Sequence, residues 1–150
     1  MRENMGLYRG KRIDGHRDNT KNGTMLYGSL FIDKNGQPKI KWYCEKHGSA
    51  MTSNVDPETV GQYIGLTDMT GKKIFEGDII KIRFESDSFT HPAEPIVWYT
   101  LAKVFWSSEQ FGWYAAFASG EELSMWEYDD PDDVEIVGNI HDNPELLEVK

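Results

Sequence analysis

The chain has 150 residues, of which 39% are hydrophobic and 13% aromatic, enough for one domain or for a main domain with a small annex. No apolar run approaches the roughly 20 residues of a membrane helix, and residues 1–4 lack the apolar core of a secretory signal. The single cysteine, Cys44, excludes an internal disulfide and fits a reducing cytosol. Composition therefore predicts a cytoplasmic protein with no membrane segment.

Charge is unevenly distributed along the chain. Residues 1–50 carry ten Lys or Arg against five Asp or Glu, whereas residues 104–149 carry twelve acids and no Lys or Arg. Because binding a phosphate backbone requires cations, the C-terminal third cannot bind nucleic acid by itself. The first half offers a modest basic face formed by Arg9, Lys11, Arg12, Arg17 and Lys21. The simpler interpretation is that the oppositely charged parts attract each other within the fold or between subunits.

The N-terminal part predicts a β-hairpin. Residues 25–32 (MLYGSLFI) and 38–43 (PKIKWY) are β-prone, and Asn35-Gly36 between them readily adopts the left-handed conformations of a hairpin turn. Asp56 followed by Pro57 predicts the capped start of a short helix. We therefore expect an N-terminal hairpin subdomain over residues 1–58.

Residues 61–84 (GQYIGLTDMTGKKIFEGDIIKIRF) predict a compact β unit. Residues 68–71 (DMTG) have the composition of a turn, and 76–78 (EGD) that of a corner before an alternating strand at 79–84. Gly followed by Asp and β-branched residues is common in small, strongly bent barrels. The sequence thus predicts a small SH3-like or bent β-barrel subdomain over residues 59–150.

Further short strands are predicted towards the C-terminus. Residues 96–99 and 101–106 form a long β-prone run, with a turn at 107–110, a partner strand at 111–118 and a final strand at 134–138. Asn143 is predicted to cap a helical turn that begins at Pro144. In total, seven to nine short strands and at most two helical turns indicate a mainly antiparallel β fold.

No segment predicts a site of chemistry. Residues 65–73 resemble a phosphate loop, but five residues separate the glycines and Lys73 stands where Ser or Thr should hold magnesium, so we interpret them as a β-turn. A structural zinc site needs four ligands, and the other histidines lie far from Cys44 and His47 along the chain. We therefore interpret Cys44 and His47 as a surface pair that binds no metal. Pro131 interrupts the acidic run 129–133, which we interpret as a solvated loop. We predict no catalytic, cofactor-binding or metal site and no enzymatic activity.

Aromatic side chains crowd into residues 98–128. Alternation in a strand places Phe111, Trp113 and Ala115 on one side and Tyr114 and Ala116 on the other, so both faces carry aromatic surface. Packing in the core is the simpler interpretation, and contact with a partner is the alternative, since aromatics concentrate at interfaces. The candidate partner-binding residues are Trp98, Trp106, Trp113, Tyr114 and Trp126.

Several fragments, taken in order, resemble the YopX family of small phage and prophage proteins of Gram-positive bacteria. They are residues 9–14 (RGKRID), 26–30 (LYGSL), 55–63 (VDPETVGQY), 65–68 (GLTD), 71–80 (GKKIFEGDII) and 136–147 (IVGNIHDNPELL). The chain departs from the family pattern at 2–8 and over 85–133. The resemblance implies a mainly β fold that includes a small barrel, and a phage or prophage origin. It implies no activity and no catalytic residue.

These observations favour two classes of function. The first is a non-enzymatic interaction protein that binds a host or phage protein, or itself, through aromatic and acidic surface. The alternative is a nucleic-acid-linked module that uses the basic first half, or an acidic DNA mimic that captures a nucleic-acid-binding protein of the host. An enzyme or metal protein with an unrecognised site is a third, weaker interpretation.

Overall fold

The computed structural model describes residues 7–15, 22–86, 94–127 and 131–148. The chain divides into two compact units, Met1–Tyr63 and Ile64–Lys150. The paired strands of the described residues are antiparallel, which confirms the predicted mainly β class. In this part of the chain there are eleven strands rather than seven to nine. It also contains four 3-10 turns of three or four residues each, rather than at most two helical turns. None of the helices in it has the length and apolarity needed to cross a membrane.

The first unit is one antiparallel sheet in the order β4-β3-β2-β1-β5. Its strands are β1 (Leu7–Lys11), β2 (Met25–Ile32), β3 (Pro38–Cys44), β4 (Ser49–Asn54) and the beginning of β5 (Gly61–Thr67). The predicted hairpin is confirmed as β2 and β3, joined by a turn in which Gly36 has a φ of 84°. The Asp33 carboxylate stabilises this turn by accepting hydrogen bonds from the Asn35 and Gln37 amides. A 3-10 turn, Pro57–Thr59, is capped by Asp56 as predicted.

One face of this sheet forms a small core. Leu26, Ile40 and Val55 are buried, and Tyr8, Leu30, Trp42 and Val60 pack against them. Gly28 lies between neighbouring strands, where a Cβ would overlap the carbonyl oxygen of Lys41. The pairing of β2 with β3 therefore requires glycine at this position.

Replacing Gly28 with alanine is expected to lower the free energy of unfolding by about 2–3 kcal/mol, because backbone atoms must move to admit the methyl group. Urea unfolding measures the change. Gly112→Ala is the matched control: its Cβ would lie 3.5 Å from the nearest heavy atom, in ordinary contact, and the substitution is expected to cost far less. Equal effects of the two substitutions would contradict the described strand contact.

The second unit contains a five-stranded antiparallel sheet in the order β10-β9-β8-β7-β11. Its strands are β7 (Asp78–Ser86), β8 (Ile96–Ser107), β9 (Gly112–Phe117), β10 (Glu122–Ser124) and β11 (Val134–Asn139). A separate short strand, β6 (Lys73–Phe75), pairs with β5. The remaining 3-10 turns are Met125–Glu127, Pro131–Asp133 and Pro144–Leu147.

One face of the five-stranded sheet carries the core of the second unit. Ile80, Ile82, Ala102, Val104 and Ala115 are almost fully buried on it, as the alternation of β7, β8 and β9 requires. The predicted corner at 76–78 is present. Gly77 has a φ of 90°, and the buried Asp78 carboxylate accepts a 2.8 Å hydrogen bond from the Phe75 amide. The corner thus fixes where β7 begins.

Two details differ from the sequence-based expectations. Among the described residues, no ladder joins the edge strands of the five-stranded sheet, so the predicted barrel is not confirmed. Asn143 precedes the 3-10 turn Pro144–Leu147, but its side chain makes no cap hydrogen bond to the turn. Instead its Oδ1 accepts from the Asn139 amide at 3.3 Å, because Asn143 packs back onto the end of β11 beside Gly138.

Asp68 connects the β5–β6 turn to β11. Its Oδ1 accepts hydrogen bonds from the Thr70 amide, the Thr70 hydroxyl and the Lys72 amide, and its Oδ2 accepts from the Ile136 amide at 3.0 Å. The Met69 amide also donates to the Val134 carbonyl. Residues 65–73 therefore form a structural turn, as the sequence predicted.

Candidate interaction surface

The first part of β8 extends beyond its neighbour β9. Pairing of β8 with β9 begins at Ala102 and Phe117, whereas pairing with β7 continues to Ile96 and Ser86. On the other side of β7, the ladder with β11 ends at Ile82. Residues 83–86 and 96–101 therefore form a two-stranded extension, called here the apolar ribbon. In the described parts of the chain, no strand pairs with the outer edge of residues 96–101.

Both faces of the apolar ribbon expose large apolar side chains. Trp98 lies on the face that continues the core, where its ring stacks on Phe84 with centroids 5.6 Å apart, yet 45% of it is exposed. Tyr99 lies on the opposite face and is 58% exposed. Ile96 and Val97 are exposed beside them. Because an unpaired strand edge offers backbone donors and acceptors, this apolar edge favours association with another chain.

Charged side chains on the Tyr99 face are paired with one another. Lys81 and Glu135 are cross-strand neighbours with Nζ and Oε2 3.0 Å apart, and Lys81 Nζ lies 5.2 Å from the Tyr99 ring centroid. Arg83 contacts Glu85 at 2.8 Å and Asp133 at 3.9 Å. The hydrogen bond to Glu85 raises the pKa of the Arg83 guanidinium, and the negative charges of Glu85 and Asp133 act in the same direction. The Tyr99 ring therefore lies among paired charges, two cations and three carboxylates.

The other predicted partner-binding residues do not join Trp98 in one patch. Trp106 lies at the far end of β8 and meets Trp113 edge to face, with ring centroids 5.2 Å apart. Trp113 also packs against the core. Tyr114 lies on the opposite face of the sheet beside Phe105. Trp126 is exposed in the 3-10 turn Met125–Glu127.

The predicted alternation around Trp113 is confirmed for most positions. Trp113 and Ala115 share the core face, and Tyr114 and Ala116 lie on the other. The placement of Phe111 was wrong. Phe111 belongs to the β8–β9 turn, where its φ is 52°, and its side chain is 83% exposed. Strand alternation does not apply to it because β9 begins only at Gly112.

Sequence reasoning did not single out Ile96, Val97 and Tyr99 as surface residues. The relevant sequence feature is the run IVWY at residues 96–99. It places large apolar or aromatic side chains on both faces of a strand. Such a run is typical of a strand buried on both faces, so the pattern alone favours burial. The structure differs because β9 and β11 both end before they reach this run.

The predicted basic face is largely unavailable in the described residues. Arg9 and Arg12 are 4% and 5% exposed, and Arg12 pairs with Asp14 at 3.0 Å and lies over the Trp42 ring. Arg17 and Lys21 lie outside the described residues. Lys11 is half-buried in β1.

The residues examined for chemistry do not assemble into a site. Cys44 is buried in β3 rather than lying at the surface, so the interpretation of Cys44 and His47 as a surface pair was wrong for the thiol. Within the part of the chain that the structure describes, no group of three or more His, Cys, Asp or Glu side chains could hold a metal ion. Asp129 and Asp130 lie outside that part, and Asp133 contacts Arg83.

The fold and the surface define a class: a small, mainly antiparallel β protein with an exposed apolar strand edge. The family model described as YopX protein matches residues 17–148, which is most of the chain. The chain therefore belongs to the YopX family, and the resemblance noted from its sequence fragments is confirmed. A search of curated proteins finds no match.

Proposed function

We propose that this chain is a non-enzymatic protein-interaction module and that the apolar ribbon is its docking element. The observation that carries the proposal is the combination, in residues 96–99, of exposed apolar side chains on both faces and an open strand edge. An extended segment of a partner adds to such an edge through main-chain hydrogen bonds, while side chains on the two faces provide selectivity. Trp98 and Tyr99 are the aromatic anchors of the contact.

The charge of the second unit supports a partner with a basic surface. This unit carries six Lys or Arg against eighteen Asp or Glu, a formal net charge of −12. Opposite charge on a partner accelerates encounter and selects among competitors. A nucleic-acid-binding protein of the host fits this description, and competition by free DNA for the same partner distinguishes a DNA mimic from an ordinary protein contact.

The proposal takes the chain as a phage or prophage product that acts in the bacterial cytoplasm, which is the origin the family resemblance implies. Nucleic-acid binding through Arg9, Lys11, Arg12, Arg17 and Lys21 has less support, because Arg9 and Arg12 are buried.

Affinity purification from infected or lysogenic cells, followed by mass spectrometry, tests the proposal. The wild-type chain is expected to recover a stoichiometric protein partner, and the doubly substituted chain Trp98→Ser/Tyr99→Ser is expected to lose it. Light scattering of the purified chain over a range of concentrations tests self-association in parallel. Recovery of no partner by a strictly monomeric wild-type chain would overturn the proposal.

A further inference from the structure

The four strands β1 to β4 of the first unit contain no acidic residue. Their sequences are LYRGK, MLYGSLFI, PKIKWYC and SAMTSN. All four cations in these strands, Arg9, Lys11, Lys39 and Lys41, fall on the same face, because Arg9 and Lys11 oppose Tyr27 and Met25 while Lys39 and Lys41 oppose Phe31 and Ser29. In a chain with a formal net charge of −9, this segregation creates a local positive surface.

The same face exposes three aromatic side chains. Tyr27 and Phe31 lie four residues apart on β2, about 13 Å along the strand, and Tyr43 lies on β3 two residues after Lys41. They are 50%, 44% and 64% exposed, whereas the opposite face of these strands buries the core residues Leu26 and Ile40. Three large aromatic side chains are therefore exposed on the face that carries the cations.

We propose that this surface, the basic aromatic face, binds single-stranded nucleic acid. Lysines that reach solvent attract the phosphate backbone, and exposed aromatic rings stack unpaired bases with little dependence on sequence. Paired bases in a duplex cannot stack on a sheet in this way, so the arrangement selects single strands. The carboxylates of an acidic peptide satisfy the cations but do not stack on the exposed rings of Phe31 and Tyr43.

Three lysines carry the electrostatic part. Lys41 is exposed at the centre of the face, between Ser29 on β2 and Thr52 on β4. Lys39 is partly exposed and lies 3.8 Å from Asp33 in the adjoining turn, and Lys11 is half-buried. Arg9 is buried and adds its charge without reaching a ligand. This face shares Arg9 and Lys11 with the basic face predicted from sequence and adds Lys39 and Lys41. It lies in the first unit, so its failure would leave the proposed role of the apolar ribbon unaffected.

Fluorescence anisotropy with the full chain tests the proposal. The probes are fluorescein-labelled oligothymidine, oligouridine and a DNA duplex, titrated across a salt series. We expect both single strands to bind more tightly than the duplex, and a comparison of the two distinguishes DNA from RNA. Lys41→Gln is expected to reduce the slope of log K against log salt by about 0.7, the value for one phosphate contact on a single strand.

Loss of one stacking ring has a different expected signature. Phe31→Ser and Tyr43→Ser are each expected to weaken binding about five- to 150-fold while the salt slope stays the same. Trp126→Ser, which removes an exposed ring from the second unit, is the matched control and is expected to change neither quantity. Near-UV circular dichroism verifies that each variant is folded, and Lys41→Gln changes an exposed side chain only.

Several outcomes would overturn the proposal: no binding of either single strand at low salt, duplex bound as tightly as single strands, or substitutions on the face with no more effect than Trp126→Ser. Equal displacement of oligothymidine by polyglutamate at the same charge concentration would also overturn it, in favour of an acidic peptide.

Discussion

Replacing Asp68 with alanine is expected to lower the free energy of unfolding by about 3–5 kcal/mol, because it leaves several hydrogen-bond donors without an acceptor at one place. The carboxylate is 2% exposed and bonds the β5–β6 turn on one side and the Ile136 amide of β11 on the other. Water cannot replace it without opening this contact. Urea unfolding followed by tryptophan fluorescence measures the loss.

Asp33→Ala is the matched control for this prediction. Asp33 accepts from the β2–β3 turn in the same local pattern, from amides two and four residues ahead, and pairs with the nearby Lys39 at 3.8 Å. Among the described residues, no amide of a distant strand donates to it. We therefore expect it to cost only about 1 kcal/mol. If both alanine variants lost the same stability, the link between Asp68 and β11 would contribute nothing.

The pKa of Asp68 gives the same contact a pH dependence. Burial raises this pKa, but hydrogen bonds from the Ile136 amide, the Thr70 hydroxyl and the Lys72 and Thr70 amides together outweigh burial and lower it below 3.8. A carboxyl whose pKa is lower in the folded chain adds stability above its unfolded pKa and loses it as pH falls through the folded pKa. Below about pH 4, the wild type should therefore lose stability more steeply than Asp68→Asn. Parallel pH profiles would contradict this assignment.

Substitution of Trp98 by serine is expected to weaken partner binding about thirtyfold or more, the effect of removing an aromatic anchor from the centre of a contact. Isothermal titration with the partner recovered by affinity purification measures it. The stability of the chain should fall by only about 1 kcal/mol, since Trp98 is half exposed and its packing is mainly the stacked contact with Phe84.

Trp126→Ser is the matched control for the ribbon as well. Trp126 is the more exposed of the two rings but lies in the 3-10 turn Met125–Glu127, outside the apolar ribbon. We expect its loss to leave affinity within about twofold of wild type, since contacts outside the centre of an interface are nearly neutral. A larger effect at Trp126 than at Trp98 would move the contact surface away from the apolar ribbon.

Local chemistry explains what the sequence predicted correctly. Asn35-Gly36, the capped Asp56-Pro57 turn, the Asp68–Gly71 turn and the Gly77 corner each depend on a few adjacent residues, and each is present. The alternation of Trp113 and Tyr114 between faces follows from strand geometry alone. These signals were sufficient for the β class and for the approximate positions of the hairpins.

Long-range pairing explains what the sequence could not predict. The exposure of residues 96–99 depends on where β9 and β11 end relative to β8 and β7, and no local pattern records those registers. The charge distribution predicted that Arg9 and Arg12 belong to an exposed basic face, and this was wrong. Arg9 lies in β1, Arg12 follows its last residue, and composition does not reveal that both side chains are buried. Asn143 before Pro144 is a suitable residue for a helix cap. Its side chain instead accepts a hydrogen bond from the Asn139 amide at the end of β11.

Hydrogen exchange tests the central claim most directly. The amides of residues 96–101 are measured by mass spectrometry in the free chain and in complex with the recovered partner, or at high concentration if the chain associates with itself. Strand addition at the open edge predicts that these amides become protected on binding, with little change in the buried residues of β7. Full partner binding without any added protection in residues 96–101 would contradict the claim that the apolar ribbon is the docking element.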